Sequence, residues 1–142
     1  MSTYEEFLDG EHPEHVAVYL TEEMVGDLGP LEQYGERTDD GIVLVVPGDQ
    51  GRSVFKQVTG MEAMQFSQQA MGTDGTVRAD LAGGDCPSRH PDESESDHDT
   101  EFVFAFFEEE NEEVGGLYAE GDVMHAYAYC ECGTAYSDRW VV

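Results

Sequence analysis

The sequence predicts an α+β fold: a single domain with a mixed β-sheet, two helices, and a C-terminal β-hairpin tipped by a Cys-x-Cys-Gly knuckle. Three observations carry that expectation. Ile42-Val43-Leu44-Val45-Val46 and Phe102-Val103-Phe104-Ala105-Phe106-Phe107 are apolar without alternation, the pattern of strands buried on both faces. Between them, Val54, Val58, Met61, Met64 and Met71 recur at roughly helical spacing. Near the end, β-branched and aromatic residues flank Cys130-Glu131-Cys132-Gly133 on both sides, as in two strands joined by a tight turn.

The elements follow in order. Residues 4–8 form a short amphipathic turn, and 15–20 a first strand. Thr21 caps a helix, with Glu22 and Glu23 near its positive end and Gly29-Pro30 as its stop. A further turn covers 31–34. The strand 42–46 ends at Pro47-Gly48. A helix over 53–71 follows, weakened at Gly60 and capped at Gly72. Residues 76–81 alternate Val77, Ala79 and Leu81 with Arg78 and Asp80, which predicts a half-exposed edge strand. Residues 87–100 are acidic and serine-rich and read as a flexible loop. Strands over 102–107, 123–129 and 134–142 complete a single domain spanning 1–142.

The charge is extreme: 32 acidic residues against 6 basic, a net −26 on 142 residues, with Lys56 the sole lysine. In dilute buffer such a charge repels itself. At molar salt the screening length falls to about 3 Å. Acid is spread along the whole chain, which fits a protein adapted to a salty cytoplasm. A nucleic-acid mimic or a chaperone of basic proteins would concentrate acid on one face or in a tail. The N-terminus lacks the basic start and apolar stretch of a signal peptide, and the longest apolar run, 102–107, is too short for a bilayer. A cytoplasmic protein with no membrane partner and no nucleic-acid partner is expected.

The cysteines carry the chemistry. All three lie in glycine-flanked loops, and an odd number cannot all pair within the chain. Gly133 tolerates the positive φ of a tight turn, and such a knuckle aims backbone N–H groups at its sulfurs. Tetrahedral zinc needs four ligands. Gly83-Gly84-Asp85-Cys86-Pro87-Ser88-Arg89-His90 offers the other half of a site, so Cys86, His90, Cys130 and Cys132 form the expected Cys3His set. His98, His125 and Asp85 compete with His90. Strand alternation puts His125, Tyr127 and Tyr129 on the face opposite Cys130, which argues against His125. Three bystander thiols are the plain alternative, and redox cycling of Cys130 and Cys132 would close a strained ring.

Other patterns are weaker. Gly48-Asp49-Gln50-Gly51-Arg52-Ser53 has the look of an anion loop but lacks the lysine and spacing of a P-loop, so a strand-to-helix turn capped by Asp49 or Ser53 is preferred. The methionines of 61–71 are read as core, with an adaptable binding face as the alternative. The glutamates of 108–113 are a solvated face, and His12 and His15 are surface residues. No serine sits in a nucleophile elbow.

Over nearly its full length the chain resembles a family of haloarchaeal proteins built on a domain of unknown function. The stretches that carry this are 43–47, 58–66, Gly84-Asp85-Cys86-Pro87, 116–121 and 130–140. The resemblance implies salt adaptation and no activity. Separately, 130–136 resembles a zinc-ribbon knuckle with one residue between the cysteines instead of two. The expected function is a non-enzymatic, zinc-stabilised domain that binds a protein partner. The alternatives are a metal-dependent enzyme with an open zinc position and an acidic nucleic-acid mimic.

Overall fold

Six strands pair antiparallel into one sheet, covered on both faces. The computed structural model of the chain describes residues 3–9, 14–22, 32, 35–38, 41–87, 100–108, 113, 119–130 and 132–141. In chain order these form α1 (Thr3–Leu8), β1 (His15–Thr21), β2 (Gly35–Arg37), β3 (Gly41–Pro47), α2 (Gly48–Thr59), α3 (Ala63–Ala70), β4 (Thr76–Val77), β5 (Gly84–Asp85), β6 (Thr100–Glu108), β7 (Val123–Cys130) and β8 (Ala135–Val141). The sheet order is β2-β3-β1-β6-β7-β8, and β4 and β5 make a separate hairpin. This is the α+β fold with a C-terminal hairpin that the sequence predicts.

Alternation along the strands separates two cores. Ala17, Tyr19, Val43, Val45, Val103, Ala105, Met124, Ala126, Ala128 and Cys130 face one side, where Phe7 of α1 and the β4–β5 hairpin cover them. Val16, Val18, Leu20, Ile42, Leu44, Phe102, Phe104 and Tyr127 face the other, under α2 and α3. Because both faces are covered, β3 and β6 can be apolar without alternation even in an antiparallel sheet. Phe55 anchors the helical side, with ring centroids 5.3 and 5.4 Å from Phe102 and Phe104 and 5.5 Å from Phe66.

The expected helix over 53–71 is two helices. Gly60 takes φ 77°, which a glycine reaches without a Cβ penalty, and ends α2. The Thr59 hydroxyl donates to the Phe55 carbonyl at 2.7 Å and accepts from the Met61 N–H at 3.2 Å, so the chain turns instead of continuing. The break rephases the apolar stripe. Gly51 and Phe55 are buried in α2, and Ala63, Phe66, Ser67 and Ala70 in α3. Of the methionines expected in the core, Met61 packs half-buried against it, while Met64 is 53% exposed and Met71 61%. Met71, in right-handed conformation, caps α3 instead of Gly72.

Two further expectations change. Helix α2 starts at Gly48 directly after Pro47, with no side-chain cap, so Asp49 and Ser53 lie inside it and Asp49 pairs with Arg52. The expected strand over 76–81 shortens to Thr76–Val77, because Asp80 accepts from the Ala82 N–H at 3.0 Å and Leu81 N–H reaches the Arg78 carbonyl at 2.9 Å, folding 78–83 into a turn. Thr21 ends β1 and donates to the Glu101 carbonyl at 3.1 Å. Most of the helix expected after it, the turn over 31–34 apart from Glu32, and the loop over 87–100 apart from Pro87 and Thr100 fall outside the described residues.

Candidate metal centre

The β7–β8 hairpin has register Tyr129↔Ala135, which leaves a short turn between the strands. Cys130 N–H donates to the Thr134 carbonyl at 2.9 Å, and Gly133 N–H to the Cys130 carbonyl at 2.9 Å. Gly133 has φ 94°, the left-handed conformation anticipated for it. The turn points backbone N–H groups at sulfur: that of Cys132 toward the Cys130 thiol and that of Thr134 toward the Cys132 thiol.

The third cysteine arrives from the β4–β5 hairpin. Thr76 pairs with Asp85 and Val77 with Gly84, and Cys86 follows at once. Val77 N–H donates to the Asp138 carboxylate on β8 at 3.1 Å, and the segment before β4 bonds β8 through Gly75 N–H to the Ser137 carbonyl at 2.9 Å. Tyr136 of β8 is the seat of this hairpin. Its side chain is fully buried. An ideal Cβ placed on Gly84 would lie 2.7 Å from its hydroxyl, and one on Gly75 would lie 2.4 Å from its ring. Only glycine lets the hairpin pack this close. The Tyr136 hydroxyl lies 3.5 Å from that of Thr100, and burial pushes its pKa up to about 12.

The three ligand sulfurs lie within 4.8 Å of one another. Cys86 Sγ and Cys132 Sγ are 3.7 Å apart, and none of the three cysteines is in a disulfide. Four ligands about 2.3 Å from a tetrahedral zinc stand about 3.8 Å from each other, so this spacing is one edge of such a tetrahedron. A disulfide would bring the sulfurs to about 2.05 Å.

The electrostatics divide the thiols. Cys130 is fully buried, and burial pushes its pKa up to about 12. Cys132 is exposed. A hydrogen bond with the Thr134 hydroxyl, 3.3 Å away, and the Thr134 N–H bring its pKa down to about 6. A thiolate is the attacking form, and its fraction falls as pH drops below the pKa. In chelator-treated protein, iodoacetamide should therefore modify Cys132 first, with the rate half-maximal near pH 6, while Cys130 stays protected at neutral pH. Peptide mass spectrometry reads the order, and simultaneous labelling of Cys130 and Cys132 at pH 7 would contradict it. Zinc should protect all three.

Of the four residues expected as ligands, Cys86, Cys130 and Cys132 come together. His90 and its competitor His98 lie outside the described residues. Asp85 is exposed and stands outside the sulfur group. His125 is on the opposite face, stacked on Phe106 at 5.3 Å, as strand alternation anticipates. Thr134, Tyr136 and Thr100 support the site without any motif to mark them; the one available signal was the two-residue offset that puts Thr134 beside a cysteine turn.

A model described as a family of unknown function (DUF5807) matches residues 35–142, which include the whole sulfur group. Neither the curated proteins nor the solved structures contain a match to the chain.

Proposed function

Because the chain belongs to this family of unknown function, which assigns no activity, we propose a function from the geometry: a non-enzymatic domain stapled by structural zinc that works by binding another protein in a salty, reducing cytoplasm. The observation that carries it is the convergence of three sulfurs from two separate hairpins, with one pair at tetrahedral spacing. In this proposal His90 is the fourth ligand. A buried thiol such as Cys130 gives up its proton when a cation replaces it, so binding couples metal to fold. Zinc would link Cys86 to cysteines 44 and 46 residues later (130 − 86 and 132 − 86), a closure that constrains the unfolded chain.

The test is elemental analysis of protein prepared without chelator, with one zinc per chain expected. X-ray absorption separates a structural from a reactive centre. Three sulfurs and one imidazole nitrogen support the closed site, whereas three sulfurs and an exchangeable water oxygen would make it an open, catalytic one. Replacing His90 with alanine should weaken retention.

The salt adaptation rests on the −26 charge and on the few basic residues available to offset it. Arg37, Arg52, Lys56 and Arg78 each already pair with an exposed carboxylate, and exposed pairs contribute only about 0–1 kcal/mol each. Cysteines outside any disulfide fit a reducing compartment, and no described helix is long and apolar enough to cross a membrane. The melting temperature should rise from dilute buffer to molar KCl as screening removes self-repulsion. A melting curve that is flat or falls with salt would remove this part of the proposal.

A further inference from the structure

The three sulfurs differ in what can reach them and in what each can join. Cys132 is exposed in the turn between β7 and β8, whereas Cys86 is 6% exposed and Cys130 fully buried. A reagent arriving from solvent therefore meets Cys132 first. Cys86 Sγ already stands 3.7 Å from it. An S–S bond is about 2.05 Å long, so forming one draws these two sulfurs together by about 1.7 Å (3.7 − 2.05).

Cys130 is the poorer partner for Cys132. One residue separates them, and a disulfide there closes a tight, strained ring. Cys130 is also held at the end of β7, where its N–H donates to the Thr134 carbonyl. Cys86 lies 46 residues away along the chain (132 − 86) and follows the β4–β5 hairpin. No small ring constrains its bond to Cys132. Strained disulfides are the readily reduced ones, and unstrained ones persist.

We propose that Cys132 and Cys86 form a modification site for small-molecule disulfides, which oxidise the pair to an internal Cys86–Cys132 cross-link. The Cys132 thiolate attacks one sulfur of the reagent RSSR. The S–S bond of the reagent breaks, a Cys132–SR mixed disulfide forms, and RS− leaves. The Cys86 thiolate then attacks the Cys132 sulfur and expels the second RS−. The two cysteine sulfurs give up two electrons in total, and RSSR is reduced to two thiols, which take their protons from water. Of the three sulfurs only Cys130 then remains as a ligand, too few for a closed site, so zinc departs and Cys130 takes up a proton. The cross-link joins the same two hairpins that zinc joins, so the fold keeps its staple while the metal leaves. Excess thiol runs the exchange backward and restores the site. Metal release rests on the zinc reading above, whereas the cross-link needs only the sulfur geometry.

The test treats the full chain, prepared without chelator, with bis(2-hydroxyethyl) disulfide, an uncharged reagent that the acidic surface neither attracts nor repels. Non-reducing peptide mass spectrometry should show a mixed disulfide at Cys132, then one Cys86–Cys132 cross-link per chain with Cys130 unmodified. A chromophoric chelator should record one zinc released for each cross-link. The oxidised protein should melt above chelator-treated, reduced protein, and dithiothreitol with zinc should restore the starting state. In Cys86→Ser the reaction should stop at the mixed disulfide. A Cys130–Cys132 cross-link, a mixed disulfide that persists in the wild type, a disulfide between chains, or no reaction would each overturn the proposal. So would oxidised protein that melts no higher than the reduced, metal-free form. The two readings fail separately. Protein that holds no zinc yet forms the Cys86–Cys132 cross-link ends the metal reading and spares this one. Protein that holds one zinc but forms another pairing, or none, does the reverse.

Discussion

Cys130→Ser should empty the metal site: zinc falls from one per chain to near zero, and the C-terminal hairpin loses stability. The sulfur of Cys130 sits in the fully buried position of the group, where serine offers no soft ligand to zinc. Two effects add. Metal binding to such sites is folding free energy, of order 10 kcal/mol in small zinc domains that have no other core. Here two apolar layers remain, so the chain should stay largely folded and lose the β4–β5 hairpin and the β7–β8 turn first. A buried hydroxyl left without a partner costs a further ~1–3 kcal/mol. Cys132→Ser separates them, because that side chain is exposed. It should release zinc yet melt with the chelator-treated wild type, while Cys130→Ser melts lower still. Hydrogen exchange should show the loss in residues 76–86 and 127–136 and leave β1 and β3 protected. Wild-type protein that contains no zinc, with thiols that titrate alike in the presence and absence of added metal, would reduce the cysteines to bystanders.

How far the sequence alone reaches is visible in particular residues. Strands β1, β3, β6 and β7 were legible because each is a dense apolar or aromatic run, and the burial of β3 and β6 on both faces follows from the missing alternation. Strand β8, interrupted by Ser137-Asp138-Arg139, was legible from Tyr136 and Trp140 after the cysteine turn. The cysteines were legible as a group because Gly84 and Gly133 lie close to them, but the expectation that none is a core cysteine fails. Cys130 ends β7 and is buried with Cys86 in the core, and only Cys132 stays exposed in the turn. The helical layer was not. A single stripe drawn through Val54, Val58, Met61, Met64 and Met71 assumes one continuous helix, and the turn at Gly60 puts the two halves out of phase. Phe55 and Phe66 then take the core, and Met64 and Met71 are left outside. The segment 76–81 failed for a different reason. Alternation there is genuine, but the Asp80 side chain binds the backbone two residues on and closes a turn before a strand can extend. Local hydrogen bonds of that kind do not show in a periodicity. Nor does the role of Tyr136, which depends on two glycines, Gly75 and Gly84, that are distant in sequence and meet its ring only after the chain folds.

Tyr136→Ala should therefore damage the metal site without touching a ligand. The ring is fully buried between the sheet and the segment that delivers Cys86. Removing a buried aromatic side chain costs about 3–5 kcal/mol through lost burial and the cavity that remains. The cavity opens beneath Gly75 and Gly84, where no side chain can move in to fill it, since neither residue has one. The β4–β5 hairpin is then held by Val77 N–H on Asp138 and the backbone bonds at Ser137, and Cys86 loses its fixed position 3.7 Å from Cys132. Zinc affinity should fall, while Cys130 and Cys132 stay together on their turn. Tyr136→Phe is the discriminating control. The hydroxyl contact with Thr100 is long, at 3.5 Å, so its loss should cost only about 1 kcal/mol and leave zinc bound at one per chain. Competition with a chromophoric chelator gives the affinities, and thermal melting gives the stabilities. If Tyr136→Ala binds zinc as tightly as the wild type, the ring is core packing alone and the position of Cys86 is set elsewhere. If Tyr136→Phe loses the metal as completely as Tyr136→Ala, the hydroxyl and not the ring supports the site.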